Sequence, residues 1–275
     1  MTKSILITGC STGIGYVCAH ELNKKGYLVV ASCRREEDVA RLRSEGLNCV
    51  LLDVSDTDSI TSGLKEALAI TDGKLDALFN NGAYGQAGAL EDLPTDALRE
   101  QFETNVFGWH ELVKQVLPLM RAQGYGRIIQ NSSVLGFAAM KYRGAYNASK
   151  FALEGWTDTI RLELANSGIH ISLIEPGPIE TQFRANALKH FQKWINVESS
   201  VHRSEYELQL QRLGNDKSGN AFTLPPESIV SPLIHAIEAN KPKIRYRVTT
   251  PTKVFAVFKR ILPTTWLDKI LSKAA

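Results

Sequence analysis

The chain holds very little from which a disulfide frame, a metal centre or a membrane span could be built. Its 275 residues include four cysteines, Cys10, Cys18, Cys33 and Cys49, all in the first fifth and none in a CxxC pair. That pattern excludes a disulfide scaffold or a cysteine zinc site and implies reduced thiols in a cytoplasmic setting. The six histidines (His20, His110, His170, His190, His202 and His235) show no metal-ligand spacing, and none is assigned a role. No run of about 18 apolar residues exists, so no helix is expected to span a bilayer. The opening "MTKSILITGC" lacks a signal-peptide layout because Gly9 interrupts the apolar run at once. A net charge of only +3 gives the whole chain no nucleic-acid character. No repeat or low-complexity linker divides the chain, so residues 1–275 are read as one domain.

What is present is alternation. Short apolar runs at 4–8, 27–33, 48–54, 75–81, 126–133 and 170–176 are separated by helical patterns at 14–26, 36–46, 57–70, 95–123 and 144–167. Strands apolar on both faces, alternating with helices, predict a parallel sheet covered on both sides, with right-handed crossovers. The alternation fails after 176, where about fifty polar, irregular residues intervene. A helix near 226–240 and a strand at 243–248 resume it.

The first strand-to-helix turn reads "TGCSTGIG", residues 8–15. Gly9, Gly13 and Gly15 let the backbone N–H groups of this turn, which also holds Ser11, Thr12 and Ile14, approach an anion at a helix N-terminus. A tight turn without a ligand would use the same glycines. No Gly-Lys-Ser/Thr follows, which argues against a P-loop. After the second strand come Arg34 and Arg35, where a ribose-reading acid would favour NAD(H). Arginine there can pair bidentately with a 2′-phosphate, so NADP(H) is expected, unless both side chains are simply solvated. Asp53, followed by Val54 at the tip of the third strand, could accept from an adenine amino group or cap a turn.

"GAYNASK" places Tyr146 four residues before Lys150, on one face of a helix. Ser133 lies thirteen residues earlier at the end of a strand, and Asn105 lies in the preceding helical region. Together with "NNGA" and "PGPIET" (176–181), these motifs resemble the short-chain dehydrogenase/reductase family over residues 4–181. The resemblance implies a Rossmann-type doubly wound α/β sheet of about seven strands. It implies that Tyr146 is the catalytic acid/base, that Lys150 binds the cofactor ribose and lowers the tyrosine pKa, and that Ser133 bonds the substrate oxygen. Asn105 would support a water chain. Asn80 and Gly82 would approach the cofactor, and Pro176, Gly177, Ile179 and Thr181 would cover the nicotinamide.

The chemistry explains these residue types. Hydride transfer to a carbonyl creates an alkoxide that must be protonated. A free tyrosine titrates about three pH units above neutral, or roughly 4 kcal/mol away. A cation about 4 Å distant at intermediate dielectric supplies about that much. Lys150 together with an oxidised nicotinamide would poise the phenol near neutrality. One departure stands out. The family usually reads Asn-Asn-Ala-Gly where this chain has Asn80-Asn81-Gly82-Ala83, and a positive φ at 83 would strain the alanine.

Within the family the chain looks most like retinol-dehydrogenase-like and 17β-hydroxysteroid-dehydrogenase-like members and bacterial aldehyde reductases. Tyr84, Phe137, Met140, Tyr142 and Phe183 are expected to line an apolar pocket in or beside a substrate loop at about 178–225. The implied substrate is an apolar aldehyde, ketone or alcohol, and the resemblance implies a homo-oligomer. Two other classes compete: a cofactor-sensing regulator with little turnover, and a nucleotide-sugar epimerase, which usually has a different glycine spacing and a longer C-terminal part. Residues 241–275 carry nine basic residues and one acid, Asp268. Within 250–275, Val254, Phe255, Phe258, Ile261 and Leu262 form one predicted apolar helical stripe that Pro263 ends. Thr264 or Thr265 begins a second, with Trp266, Leu267, Ile270 and Leu271. With Lys253, Lys259, Arg260, Lys269 and Lys273 around them, these helices suit an anionic membrane surface, or else they pack on the substrate loop or a second subunit.

Overall fold

The computed structural model describes residues 2–214 and 221–272. Its strands are β1 (Ser4–Ile7), β2 (Leu28–Cys33), β3 (Asn48–Leu51), β4 (Ala77–Asn80), β5 (Gly126–Asn131), β6 (Ile169–Glu175) and β7 (Arg245–Arg247). They form one parallel sheet in the order β3-β2-β1-β4-β5-β6-β7. The order reverses between β1 and β4, so the C-terminal ends of these strands open a crevice of the kind that takes a ligand.

The apolar runs are short because they are buried on both faces. Ile5 and Ile7 of β1 pack into one layer with α1 (Gly13–Lys24), α2 (Glu36–Ser44) and α9 (Val230–Glu238). Leu6 points to the other layer, with α3 (Thr57–Ile70), α5 (Gly108–Gln123) and α6 (Gly144–Glu163). This is the parallel sheet covered on both sides that the alternation predicted, in the single Rossmann-like domain that the family resemblance implied.

Two stretches differ from expectation. The predicted helix over 95–123 is α4 (Thr95–Phe102), a π-helical turn at Glu103–Phe107, and then α5. A Cβ at Gly108 would collide with the Val54 carbonyl, so this glycine lets α5 start hard against the β3 loop. The supposedly irregular region contains α7 (Phe183–Trp194) and α8 (Arg203–Gly214). Their apolar residues are sparse, but Ala187, Phe191, Ile195 and Tyr206 are buried together, and that small cluster suffices to dock both helices. Residues 215–220 of the expected substrate loop lie outside the described residues.

The C-terminal helices are α10 (Thr250–Ile261), capped by Thr249, and α11 (Thr264–Leu271). The predicted single stripe is divided. Phe255, Phe258, Leu267 and Leu271 pack against Val134, Leu135, Phe137 and Ala138, just after Ser133. Val254, Ile261, Trp266 and Ile270 face outward, as does Val257. Lys273 lies outside the described residues.

Candidate active site

The ends of β1, β4 and β5 are laced together by polar bonds. Thr8 Oγ1 accepts from the backbone N–H groups of Asn81 (2.9 Å) and Gly82 (3.0 Å). Asn81 Nδ2 donates to the Thr8 carbonyl at 3.0 Å, and Asn131 Nδ2 donates to Asn81 Oδ1 at 2.8 Å. Gly9 adopts φ +70°, and a Cβ on it would stand 2.5 Å from the Gly82 Cα. That close approach requires glycine at 9, whereas a Cβ on Gly82 would stand 3.3 Å from the Gly9 nitrogen, and Ala83 has no positive φ and is unstrained.

The turn leaves an anion cradle at the N-terminus of α1. Gly13 has φ +63°, and a Cβ on Gly15 would meet the Gly9 carbonyl. No side chain caps this helix at Thr12, so its first N–H groups are not claimed by a cap. An open cavity of about 640 Å³ runs past Ser11, Thr12 and Gly13 to Thr181 and Gln182. These features fit a dinucleotide diphosphate. The two arginines divide. Arg35 pairs with Glu37 (2.9 Å) and Asp38 (2.7 Å), whereas Arg34 is exposed and has no ion-pair partner among the described residues. Burial pushes the Tyr84 phenol up and the His190 imidazole down, and the Arg34 charge acts on both as a smaller influence. Sequence reasoning missed Arg41, whose Nη2 donates to the Ser11 carbonyl at 2.7 Å and ties α2 to the glycine turn. Asp53 accepts from the Ser55 N–H (2.9 Å) and hydroxyl (2.7 Å), the turn-capping alternative, through Oδ1. Asn80 is fully buried below the crevice, and its carboxamide has no protein partner.

The reacting end gathers Ser133, Tyr146 and Lys150. Ser133 caps the 3-10 turn Val134–Gly136, its hydroxyl accepting from the Leu135 N–H at 3.1 Å, and it lies close enough to the Tyr146 phenol to favour ionisation. Val134 N donates to the Pro176 carbonyl at 2.7 Å, which docks the start of "PGPIET" beside Ser133. Lys150 is 1% exposed; its Nζ donates to the Asn131 carbonyl at 2.7 Å and lies 4.4 Å from the Trp109 ring centre. Trp109, also missed, holds that place by donating Nε1 to the Gly82 carbonyl at 2.8 Å. Asn105 sits in the π turn. Its carboxamide bonds both backbone groups of Tyr84 (3.2 and 2.9 Å) and Ser149 Oγ (3.1 Å), fixing α6 to the loop after β4. A widened π turn at such a position is a recurring device of functional sites.

Burial sets the electrostatics. It pushes the Tyr146 phenol up to about 12, and Ser133 draws it partly back. Burial also brings Lys150 down to about 7, opposed by the charge of Glu154. The Lys150 amine lies 5.7 Å from the Tyr146 ring centre. The protein by itself therefore does not poise the phenol near neutrality, and the sequence argument depends on its second cation, the oxidised nicotinamide.

The covering segment is in place. Phe183 meets Tyr146 edge-to-face at 5.3 Å, and Thr181 stands against Gly13. Ile179 and Leu224 form a bridge that closes the base of the α7–α8 excursion. Gly177 abuts Thr249 so closely that a Cβ would clash with its hydroxyl. Of the expected pocket aromatics, Phe183 packs on Tyr146, whereas Tyr84 stacks on His190 at 3.9 Å. Phe137 turns to the C-terminal helices, and Tyr142 (φ +60°) packs edge-on against Tyr206. Met140 is half-buried and accepts from Asn147 through its carbonyl.

A sequence profile of the family described as short chain dehydrogenase matches residues 3–191. The chain belongs to the short-chain dehydrogenase/reductase family. It is 42% identical to the oxidoreductase YbbO of Escherichia coli K12, over 98% of this chain and 94% of that one. Human retinol dehydrogenase 8 is 33% identical, over 88% of this chain and 80% of the other. An NADPH-dependent 3-dehydrocapnine reductase of Ornithobacterium rhinotracheale is 29% identical, over 98% and 95%. Among solved structures, a Streptomyces avermitilis short-chain dehydrogenase superimposes with TM-score 0.78 at 27% identity, over 98% of this chain and 94% of that one. A Burkholderia phymatum member in complex with NAD also gives 0.78 at 27%, over 94% and 92%. The chain is thus an oxidoreductase of a fold that binds nicotinamide cofactors, and both NAD and NADPH occur among such relatives.

Proposed function

We propose that this short-chain dehydrogenase/reductase interconverts an apolar aldehyde or ketone and its alcohol with NADP(H). The observation that carries this reading is the convergence of Ser133, Tyr146 and Lys150 beside the glycine cradle. Bound nicotinamide supplies or accepts the hydride. Gly9, Ser11, Thr12, Gly13, Ile14 and Gly15 hold the diphosphate, Arg34 the 2′-phosphate and Lys150 the ribose. Asp53 and Val54 flank the adenine, Asn80 and Gly82 the ribose path, and Pro176, Gly177, Ile179 and Thr181 the nicotinamide face. Ser133 donates to the substrate oxygen, Tyr146 gives or takes its proton at Oη, and Phe183 keeps water from the pair. An apolar substrate suits the aromatic surroundings of Tyr146 and the likeness to retinol dehydrogenase 8. The test is a panel of aldehydes and ketones followed by NADPH absorbance. Turnover excludes the cofactor-sensing regulator, and failure with every carbonyl and alcohol overturns the enzymatic reading.

NADPH is expected to exceed NADH in kcat/KM by about tenfold or more, since a charged hydrogen bond contributes roughly 1.5–3 kcal/mol. Arg34→Asp should shrink or reverse that ratio, whereas Arg35→Asp should change it less, because Arg35 is already paired with Glu37 and Asp38. Equal kcat/KM values for the two cofactors in the parent protein would contradict the assignment.

The same reading places the enzyme in the cytoplasm, on an anionic membrane surface that dissolves its substrate. Val254, Val257, Ile261, Trp266 and Ile270 are exposed on α10 and α11 beside Lys253, Lys259, Arg260 and Lys269. Surface cations contribute about 1 kcal/mol each toward anionic lipid. Removing the whole tail would strip Phe255 and Phe258 from the turn after Ser133, so the useful variant is Ile261→Asp/Trp266→Asp. The parent should co-sediment with anionic and not neutral liposomes at low salt, and the double variant should stay in the supernatant. Parent protein remaining in solution, or a dimer that the double variant breaks, removes the membrane and leaves a subunit contact.

A further inference from the structure

Glu154 lies one helical turn beyond Lys150 on the inward face of α6, and it is 8% exposed. Neither the motif nor the chemistry above uses it. A buried carboxylate must be paired or it destabilises the fold, and this one has two partners. Ser132 Oγ donates to Oε1 at 2.5 Å, and Arg245 of β7 reaches Oε2 at 3.1 Å. Arg245 also bridges to Asp158 (2.7 Å) on α6 and to Glu175 (3.0 Å) at the end of β6, and Arg247 binds Glu175 at 3.1 Å. Arg161 pairs with Asp158 at 3.0 Å. The cluster thus joins the helix of Tyr146 and Lys150, the residue before Ser133, and the residue before Pro176. Its packing is close: a Cβ on Gly136 would stand 2.7 Å from Ser132 Oγ and 3.0 Å from Glu154 Cγ. Glycine at 136 lets the turn that Ser133 caps lie directly over this pair.

We propose that the Glu154 carboxylate, clamped by Arg245, is a positioning group that fixes the Ser132–Ser133 corner and supplies the negative charge beside Lys150. The two effects have separate physical origins. Ser132 is gripped from both sides, its N–H donating to the Ile174 carbonyl at 2.8 Å and its hydroxyl to Glu154, so the backbone that carries Ser133 cannot swing. The charge acts on Lys150, where it favours the ammonium form, and on Arg245, which it holds charged. Glu154 itself is pushed up to about 7 by burial and by Glu175, with Ser132 and Arg245 drawing it back. Arg245 and Arg247 are consequently not part of the basic tail surface that composition alone suggests.

The inference rests on the catalytic reading above for Ser133, Tyr146 and Lys150, but one arm of its test does not. In unliganded protein carrying isotope-labelled lysine, Glu154→Gln should lower the pH at which Lys150 titrates by about one unit, because a neighbouring negative charge is lost. In turnover, Glu154→Gln should lower kcat about tenfold and move the upper pH limb downward. NADPH affinity, read by fluorescence titration, should stay within about threefold, a split that general loosening of the fold would not give. Ser132→Ala should lower kcat while leaving the Lys150 titration where it was. An unchanged lysine titration in Glu154→Gln, or a kcat within about twofold of the parent, overturns the proposal. If the parent turns over no carbonyl at all, the function fails and the lysine titration alone decides this inference. If Glu154→Gln does not fold, Ser132→Ala decides it, and parent-like kcat in that variant overturns it.

Discussion

Tyr146→Phe should lower kcat by about a thousandfold, on the order of 4 kcal/mol in the barrier, with little change in NADPH affinity. The argument is local. The tyrosine is 7% exposed, its ring rests edge-on against Phe183, and its hydroxyl meets Ser133. Phenylalanine keeps the ring contacts and removes only the group that holds the proton. The fold keeps its buried ring packing, so a thermal melt should shift by only a few degrees. Fluorescence titration and steady-state kinetics check the two halves. Turnover within a factor of ten of the parent would remove Tyr146 from the chemistry.

Lys150→Met should act in opposite directions on activity and on stability. Turnover should be lost, because the amine serves the ribose and the charge near Tyr146. The unliganded protein should nevertheless become more stable. The unfolded chain keeps the lysine proton to about pH 10.5, whereas the buried amine releases it near pH 7. Between those values the unfolded state binds more protons, so stability rises with pH across that window, and below it the full penalty is present. At pH 7 the penalty is on the order of 4 kcal/mol. Methionine removes it but orphans the Asn131 carbonyl that Nζ now reaches, which costs about 1–3 kcal/mol. The net gain should be about 1–3 kcal/mol near neutral pH and should shrink as the pH rises toward 10. Urea titrations of parent and variant at several pH values measure the difference. A variant less stable than the parent at pH 7 would show that the buried amine is better solvated than its surroundings imply.

The fold was legible because doubly buried strands and amphipathic helices leave a strong periodic trace. Every predicted strand exists to within a few residues. The same reading failed over 178–225. There α7 and α8 dock through a handful of buried side chains, Ala187, Phe191, Ile195 and Tyr206, too few to lift a polar stretch above the appearance of a loop. The covered and the outward faces of the C-terminal helices could not be told apart in sequence, since only packing against Val134, Leu135, Phe137 and Ala138 decides which residues are covered.

The candidate site divides in the same way. The sequence alone set Tyr146 and Lys150 on one helix face, which four-residue spacing requires, and its resemblance to the family implied that Ser133 and the glycine turn join them. It also showed that residues 82 and 83 are both small enough for a ribose to approach. Only the tertiary structure decided that residue 82 takes the close approach, that Arg34 stays unpaired while Arg35 is held by its own helix, and that Trp109, Arg41, His190 and Glu154 belong to the site. Trp109, Arg41 and His190 come from segments distant in the chain, whereas Glu154 sits one helical turn from Lys150 but belongs to no motif. Their roles arise from burial, which pushes Tyr146 up to about 12 and Lys150 down to about 7, and burial is a property of the assembled molecule, not of any short stretch of it.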